Sequence, residues 1–113
     1  MNKCTFIVNL KPIDAMNIIK EQQNAELVYE ELNPIGDGKY CGTLLFEKYF
    51  VRVSNRAALM VTINNLNEKT IVTSVATGSS TGIFFNFDWG ASEDFSNSVR
   101  DILKEYIISD VEQ

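Results

Sequence analysis

The sequence predicts a single α+β domain over residues 1–113, with two helices on one face of a curved antiparallel sheet of five to six strands. Three observations lead to this fold class. Apolar residues alternate with polar ones in several segments, which is typical of half-buried strands. Short turns join most of these segments, so consecutive strands run antiparallel. Two other segments, one near each end of the chain, show the spacing of amphipathic helices.

The spacing of apolar residues changes near Pro12 from every second residue to helical spacing, which indicates a strand followed by a helix. Alternate residues from Cys4 to Leu10 are apolar, as in a strand with one buried face. Pro12 suits the first turn of a helix, where its missing N–H is not needed. Apolar residues at helical spacing then continue to about Gln23. The chain therefore begins with a β-α unit.

The middle of the chain contains four strand segments. Turn-forming residues separate them at positions 33–38, 54–55 and 67–69, where proline, glycine, asparagine and serine gather. β-Branched and aromatic residues dominate the segments between these turns. The predicted strands are Leu27–Leu32, Lys39–Val53, Ala57–Leu66 and Thr70–Thr77.

The last part of the chain is predicted to hold a short aromatic strand, Ile83–Phe87, and a helix of about four turns. The apolar stripe of that helix recurs every three or four residues from Phe95 to Ile107. The predicted order is β-α-β-β-β-β-(β)-α. Two known topologies have this order, the β-α-β4-α half-repeat of the TATA-binding-protein fold and the helix-grip arrangement. The residue pattern does not choose between them.

Composition limits the partners and the compartment. The net charge is −5 and basic residues form no run, which disfavours nucleic acid and anionic membrane. No signal peptide or membrane-spanning segment is visible, so we expect a cytoplasmic protein. Cys4 and Cys41 are too few for a disulfide framework and are expected to be reduced, with a Cys4–Cys41 bridge as the alternative.

The sequence offers no catalytic residue and implies no metal or cofactor. It contains no histidine, which removes the commonest general base and metal ligand. Two isolated cysteines make neither a zinc site nor a Cys–His nucleophile. Nucleotide-binding and hydrolase motifs are absent. A non-enzymatic role is therefore favoured over an enzymatic one.

Three weak candidate binding features remain, each with a simpler structural explanation that we favour. Gly78, Ser79, Ser80 and Thr81 begin a loop that could hold an anion, although such residues often only satisfy one another. Trp89 could cover a ligand but more often fills a corner between sheet and helix. Arg52 and Arg56 could clamp a carboxylate, or could be exposed turn charges and partners for Glu47.

Four segments follow one another in a fixed order: Phe46–Tyr49, Asn55–Ile63, the loop from Gly78, and Phe84–Gly90. Together they resemble a family of small bacterial proteins, the domain of unknown function family 6054. The resemblance covers about the last two-thirds of the chain. The chain departs from the family pattern at Val53-Ser54, where a glycine pair is usual, and at Ser79, where a second glycine is usual. The resemblance implies one domain in a bacterial cytosol and brings no activity, cofactor or site residue.

Three functions from different classes follow, in this order of preference. The segment Lys39–Val53 carries apolar residues on both of its faces, so a second subunit could cover the face that the helices leave open. This predicts a non-enzymatic homodimer. A small-ligand module would have a pocket between the sheet and the C-terminal helix, near Gly78–Gly82. An enzyme would depend on Asp88 and the hydroxyls of residues 79–81.

Overall fold

The computed structural model describes residues 2–51, 54–78 and 89–111, with the side chains of Asn2 and of residues 89–92 left undescribed. Within these ranges the chain forms six strands, two α-helices and one short 3-10 helix. In chain order the elements are β1 (Asn2–Val8), α1 (Pro12–Gln22), β2 (Glu26–Gly36), β3 (Lys39–Phe50), β4 (Asn55–Asn64), β5 (Thr70–Gly78), α2 (Trp89–Ile102), a 3-10 helix (Lys104–Tyr106) and β6 (Ile107–Asp110).

The six strands form one open antiparallel sheet in the order β2-β3-β4-β5-β1-β6. Consecutive strands from β2 to β5 are neighbours, as their short connections require. The first strand lies between β5 and β6, so the two ends of the chain meet in the same sheet. The α+β prediction with an antiparallel sheet is confirmed.

Both helices pack on the same face of the sheet, and the hydrophobic core lies between the two layers. α1 contacts β3 and β4, whereas α2 contacts β5, β1 and β4. In the central parts of β3, β4 and β5 every second residue is buried, as the alternation in the sequence predicts. The largest fully buried side chains are Phe6, Phe46, Met16, Ile19, Leu44, Leu59, Ile63 and Leu103. Burying each such side chain contributes about 1.5–3 kcal/mol.

Two hydroxyl groups help to fix the position of α2. The buried Ser74 hydroxyl of β5 donates to the Ser96 carbonyl oxygen at 2.6 Å. The Gln23 side-chain amide, just after α1, donates to the Ser98 hydroxyl at 3.0 Å. A buried polar group is stable only with such a partner, so these bonds select one position of α2 on the sheet.

The second strand is longer than the sequence predicts. Residues 33–36 continue the ladder of β2 with β3, and only Asp37 and Gly38 form the turn. Both have positive φ, 56° and 75°, as a two-residue hairpin turn of the primed type requires. Pro34 is tolerated because β2 is an edge strand, where its missing N–H breaks no ladder.

The C-terminal helix ends earlier than predicted, and a strand follows it. α2 ends at Ile102, and residues predicted to extend its stripe to Ile107 instead begin β6. β6 pairs with β1, and the Val111 N–H donates to the Thr5 carbonyl oxygen at 3.0 Å. Arg100 also binds Asp110 through two hydrogen bonds of 3.1 and 2.7 Å. These long-range contacts outweigh the helical spacing of the local sequence.

The remaining boundaries differ by a few residues. The first strand ends at Val8 and not at Leu10, and β4 spans Asn55–Asn64 and not 57–66. β3 ends at Phe50, three residues before its predicted end. The predicted aromatic strand Ile83–Phe87 lies outside the described residues. The sixth strand within the described ranges is β6, which follows α2.

Candidate functional site

The side of the sheet opposite the helices, here called the open face, carries a block of uncharged residues on β3, β4 and β5. Its first row is Leu45, Met60 and Val75, which are direct cross-strand partners. Met60 lies in the middle and is 44% exposed, although it is a large apolar side chain. No element within the described residues packs on this face. β3 presents Leu44 and Phe46 to the helices and Leu45 to the open face.

The second row of the open face consists of threonines. Thr43, Thr62, Thr73 and Thr5 are successive partners across four strands. The hydroxyls of Thr5 and Thr73 lie 3.2 Å apart and share a hydrogen bond. Cross-strand threonine pairs stabilise a sheet without charge. A third row, Cys41–Asn64–Ile71–Ile7, completes an uncharged surface.

Charged side chains of the open face lie at its margins. Lys3 is on β1, next to Val75, and Glu31 is on the edge strand β2, opposite Thr43. Arg56 pairs with Glu47 at 3.4 Å and with Glu26 at 3.8 Å near one end of the face. An uncharged centre with a charged rim is the arrangement found in protein–protein interfaces.

The space between α2 and the sheet is filled by side chains in the described part of the chain. Phe95 is 3% exposed, and Val99 and Leu103 are fully buried. Phe95 also packs edge-on against Phe50, with ring centroids 5.3 Å apart. The pocket predicted between the sheet and this helix does not appear among these residues.

An apolar cleft of about 640 Å³ lies instead at the other end of the helix layer. One wall is the start of α1, with Lys11, Pro12 and Ile13. The opposite wall belongs to the β2–β3 hairpin, with Leu32 and Tyr40, and Gly38 and Asn65 close its end. Ile13 and Tyr40 are 44% and 38% exposed, so the lining of the cleft includes apolar surface that is accessible to solvent.

A second cleft of about 490 Å³ adjoins the first and is more highly charged. The two share Lys11, Pro12 and Asn65. Its other charged lining residues are Asp14, Glu68 and Lys69. The mixture of two cations and two carboxylates leaves this second cleft without net charge.

Asn65 fixes the shape of the boundary between the clefts. Its side-chain oxygen accepts the Tyr40 N–H at 2.8 Å, and its side-chain nitrogen donates to the Gly38 carbonyl oxygen at 3.1 Å. The Asn65 amide thus continues the ladder beyond the end of β4 and holds the hairpin that carries Tyr40. Both polar groups of Asn65 are used in this way.

The residues singled out from the sequence do not converge on either cleft. Gly78 ends β5 and pairs with Ala57, at the opposite end of that strand from Thr70, which lines the second cleft. Ser79, Ser80, Thr81, Asp88 and Arg52 lie outside the described residues. Trp89 begins α2, and its side chain is not described. Arg56 is bound to Glu47 and Glu26, as the simpler explanation proposed.

The two thiols lie far apart and are free. Cys4 is on β1 and Cys41 is on β3, with β4 and β5 between them, so three strand spacings of about 4.8 Å separate them. A disulfide needs Cα atoms within about 7 Å, which rules out the alternative bridge. Partial burial raises the pKa of the Cys4 thiol, with Asp110 and Asp101 adding to the rise and Arg100 opposing it.

Residues 2–51, 54–78 and 89–111 contain no group of three or more potential metal ligands. None of the helices in these ranges is long and apolar enough to cross a bilayer.

Comparison with known proteins gives one match. The profile of DUF6054, a family of unknown function, matches residues 8–107. The chain belongs to this family. The match runs from the last residue of β1 to the first residue of β6, so it includes both helices and strands β2 to β5. It confirms the resemblance noted from the sequence. No curated protein and no solved structure matches the chain.

Proposed function

We propose that this DUF6054 protein is a non-enzymatic homodimeric interaction module of the cytoplasm, with the open face as its subunit interface. The observation that carries the proposal is the apolar row Leu45–Met60–Val75 at the centre of an uncharged surface, in which Met60 is exposed and its two neighbours are half-buried. Exposed apolar surface of this kind marks interaction sites in soluble proteins. The free thiols fit a reducing compartment.

The size of the open face supports this proposal. Six strands with a spacing of about 4.8 Å span about 29 Å across the sheet, and seven residues with a rise of about 3.3 Å each span about 23 Å along a strand. The projected area is about 650 Å². Accessible area exceeds projected area on a pleated surface, so the face approaches the roughly 800 Å² per partner of a standard interface.

The charges at the margins favour a second copy of this chain as the occupant. Consider two copies whose open faces meet, related by a two-fold axis that runs parallel to β4 midway between the two sheets. In this arrangement β3 of one copy lies over β5 of the other, and β1 lies over β2. Lys3 then approaches Glu31 of the partner subunit, while the central block packs on itself. Opposite charges at the rim and an uncharged centre suit such an interface.

The decisive substitution is Met60→Lys, at the centre of the block. In the monomer Met60 is already 44% exposed, so lysine there should fold normally. In a closed interface the ammonium group would be buried without a partner, which costs several kcal/mol. A cost of about 3 kcal/mol raises the dimer Kd roughly 100-fold.

Leu66→Lys is the matched control, because Leu66 is also 44% exposed but lies in the β4–β5 turn. Light scattering after gel filtration and sedimentation equilibrium give the mass and the Kd. We expect the wild type and Leu66→Lys to show twice the 12.8 kDa chain mass, and Met60→Lys to dissociate. A wild-type monomer at high micromolar concentration refutes the dimer. Equal Kd values for the two variants refute the open face as its interface.

A further inference from the structure

We propose that the apolar cleft between α1 and the β2–β3 hairpin binds a small monocarboxylate with a flat apolar body, and that Lys11 pairs with its carboxylate. This inference is independent of the proposed dimer, because the cleft lies on the helix side of the sheet. It also places ligand binding at a different site from the pocket that the sequence suggested.

The dimensions and walls of the cleft suit such a body. Ligand sites commonly measure about 300–1,000 Å³, and this one measures about 640 Å³. Pro12 on one wall is buried and Leu32 on the other is half-buried, whereas Ile13 and Tyr40 are 44% and 38% exposed. The Tyr40 ring and the Pro12–Ile13 wall are apolar surfaces against which a flat ring can pack.

The positive charge of Lys11 determines which polar group a ligand of the apolar cleft should carry. Among the described residues that line the apolar cleft, Lys11 alone is charged. Within the same part of the chain it makes no ion pair or side-chain hydrogen bond, whereas Lys20 of α1 is paired with Glu30 at 2.8 Å. Asp14 and Glu68 of the adjoining cleft would repel a second negative charge. A ligand with one carboxylate therefore fits better than a phosphate.

The frame of the cleft is fixed before any ligand arrives. Lys11 precedes proline and has the extended backbone (φ −72°, ψ 152°) that this position favours. Its carbonyl oxygen accepts the Ala15 N–H at 3.0 Å, so its Cα is anchored to α1. Asn65 holds the opposite wall through Tyr40 and Gly38. A preformed site loses little entropy on binding.

The test compares two probes of the same shape, 2-naphthoate and its neutral analogue 2-naphthamide. Each is titrated into the full ¹⁵N-labelled chain, and amide chemical shifts report both the site and the Kd. We expect saturable shifts at Ile13, Leu32 and Tyr40 with naphthoate. A partly solvated ion pair should make the naphthoate Kd about five- to tenfold lower than that of the amide.

Two matched variants assign the preference to Lys11. Lys11→Met keeps the apolar stem and removes the charge, and should bind the acid and the amide equally. Lys69→Met, in the adjoining cleft, removes the same charge and should keep the preference. The proposal is overturned by an absence of saturable shifts in the wild type or by shifts that map elsewhere. Equal wild-type affinities, or a preference that survives in Lys11→Met, overturn it as well.

Discussion

Gly42 on β3 lies directly under α1, and Gly42→Ala measures how closely that helix packs on the sheet. A Cβ atom at this position would lie 2.5 Å from the Met16 Sδ atom, 3.2 Å from Met16 Cε and 3.3 Å from Leu32 Cδ1. Non-bonded heavy atoms normally approach to about 3.5–4.0 Å. Met16 is 2% exposed and cannot swing into solvent, so the methionine side chain or the helix must move.

Two opposing effects set the size of the change. Overpacking a core costs about 1–3 kcal/mol, and the flexible thioether of Met16 places this site in the lower half of that range. Replacing glycine also removes unfolded-state freedom, which stabilises the protein by about 0.4–1 kcal/mol. We therefore expect Gly42→Ala to lower the free energy of unfolding by about 1 kcal/mol.

Urea unfolding of a double-mutant cycle isolates the clash. Met16→Ala alone leaves a cavity and should cost about 2–5 kcal/mol. In the double variant the new methyl group occupies part of that cavity, so the loss should be smaller than the sum of the two by about 1 kcal/mol or more. If the two losses add, the close approach of α1 to β3 is not present in solution.

Two further predictions concern the contacts of α2 and the thiol beside it. Ser74→Ala removes the buried hydrogen bond to Ser96 and should lower the unfolding free energy by about 1 kcal/mol in urea, and no loss would contradict a stabilising role for that bond. The raised pKa of Cys4 stabilises the fold below the unfolded thiol pKa of roughly 8.5, and this stability is lost as pH rises through the folded pKa. Cys4→Ser should therefore reduce the stability loss above pH ~8.5, whereas an equal loss in both proteins would refute the assignment.

The central strands could be predicted from the sequence because their environment repeats every two residues. β4 and β5 each have one face against the helices and one face open, so burial imposes a period of two on their residues. All three central strands depart from strict alternation on the open face, where Leu45, Met60 and Val75 are apolar. In β3 this departure is visible in the sequence and indicates an interaction surface.

The ends of the sheet could not be predicted because they depend on partners far away in the chain. Residues 33–36 look like a loop until β3 supplies their ladder. Ile107 continues a helical stripe in the sequence, yet its place is decided by β1, about a hundred residues earlier. Local propensity is weak enough for such tertiary contacts to override it.

The apolar cleft could not be predicted from the sequence for a related reason. Lys11, Leu32, Tyr40 and Asn65 are ordinary residues in four separate segments, and no motif joins them. The sequence places Asn65 inside the predicted strand Ala57–Leu66. In the structure Asn65 lies just after β4, and this position lets its side-chain amide bind the hairpin. Only the strand order brings these residues to one end of the helix layer.

The two proposed surfaces lie on opposite sides of the sheet, and this makes their tests independent. Met60 points away from the helices, whereas Lys11 immediately precedes α1 on the opposite side of the sheet. Met60→Lys should change the dimer Kd and leave the naphthoate Kd unaltered, and Lys11→Met should remove the preference for the acid without changing the dimer Kd. If one variant changed both constants, coupling through the sheet would follow, because no side chain of the described residues belongs to both surfaces.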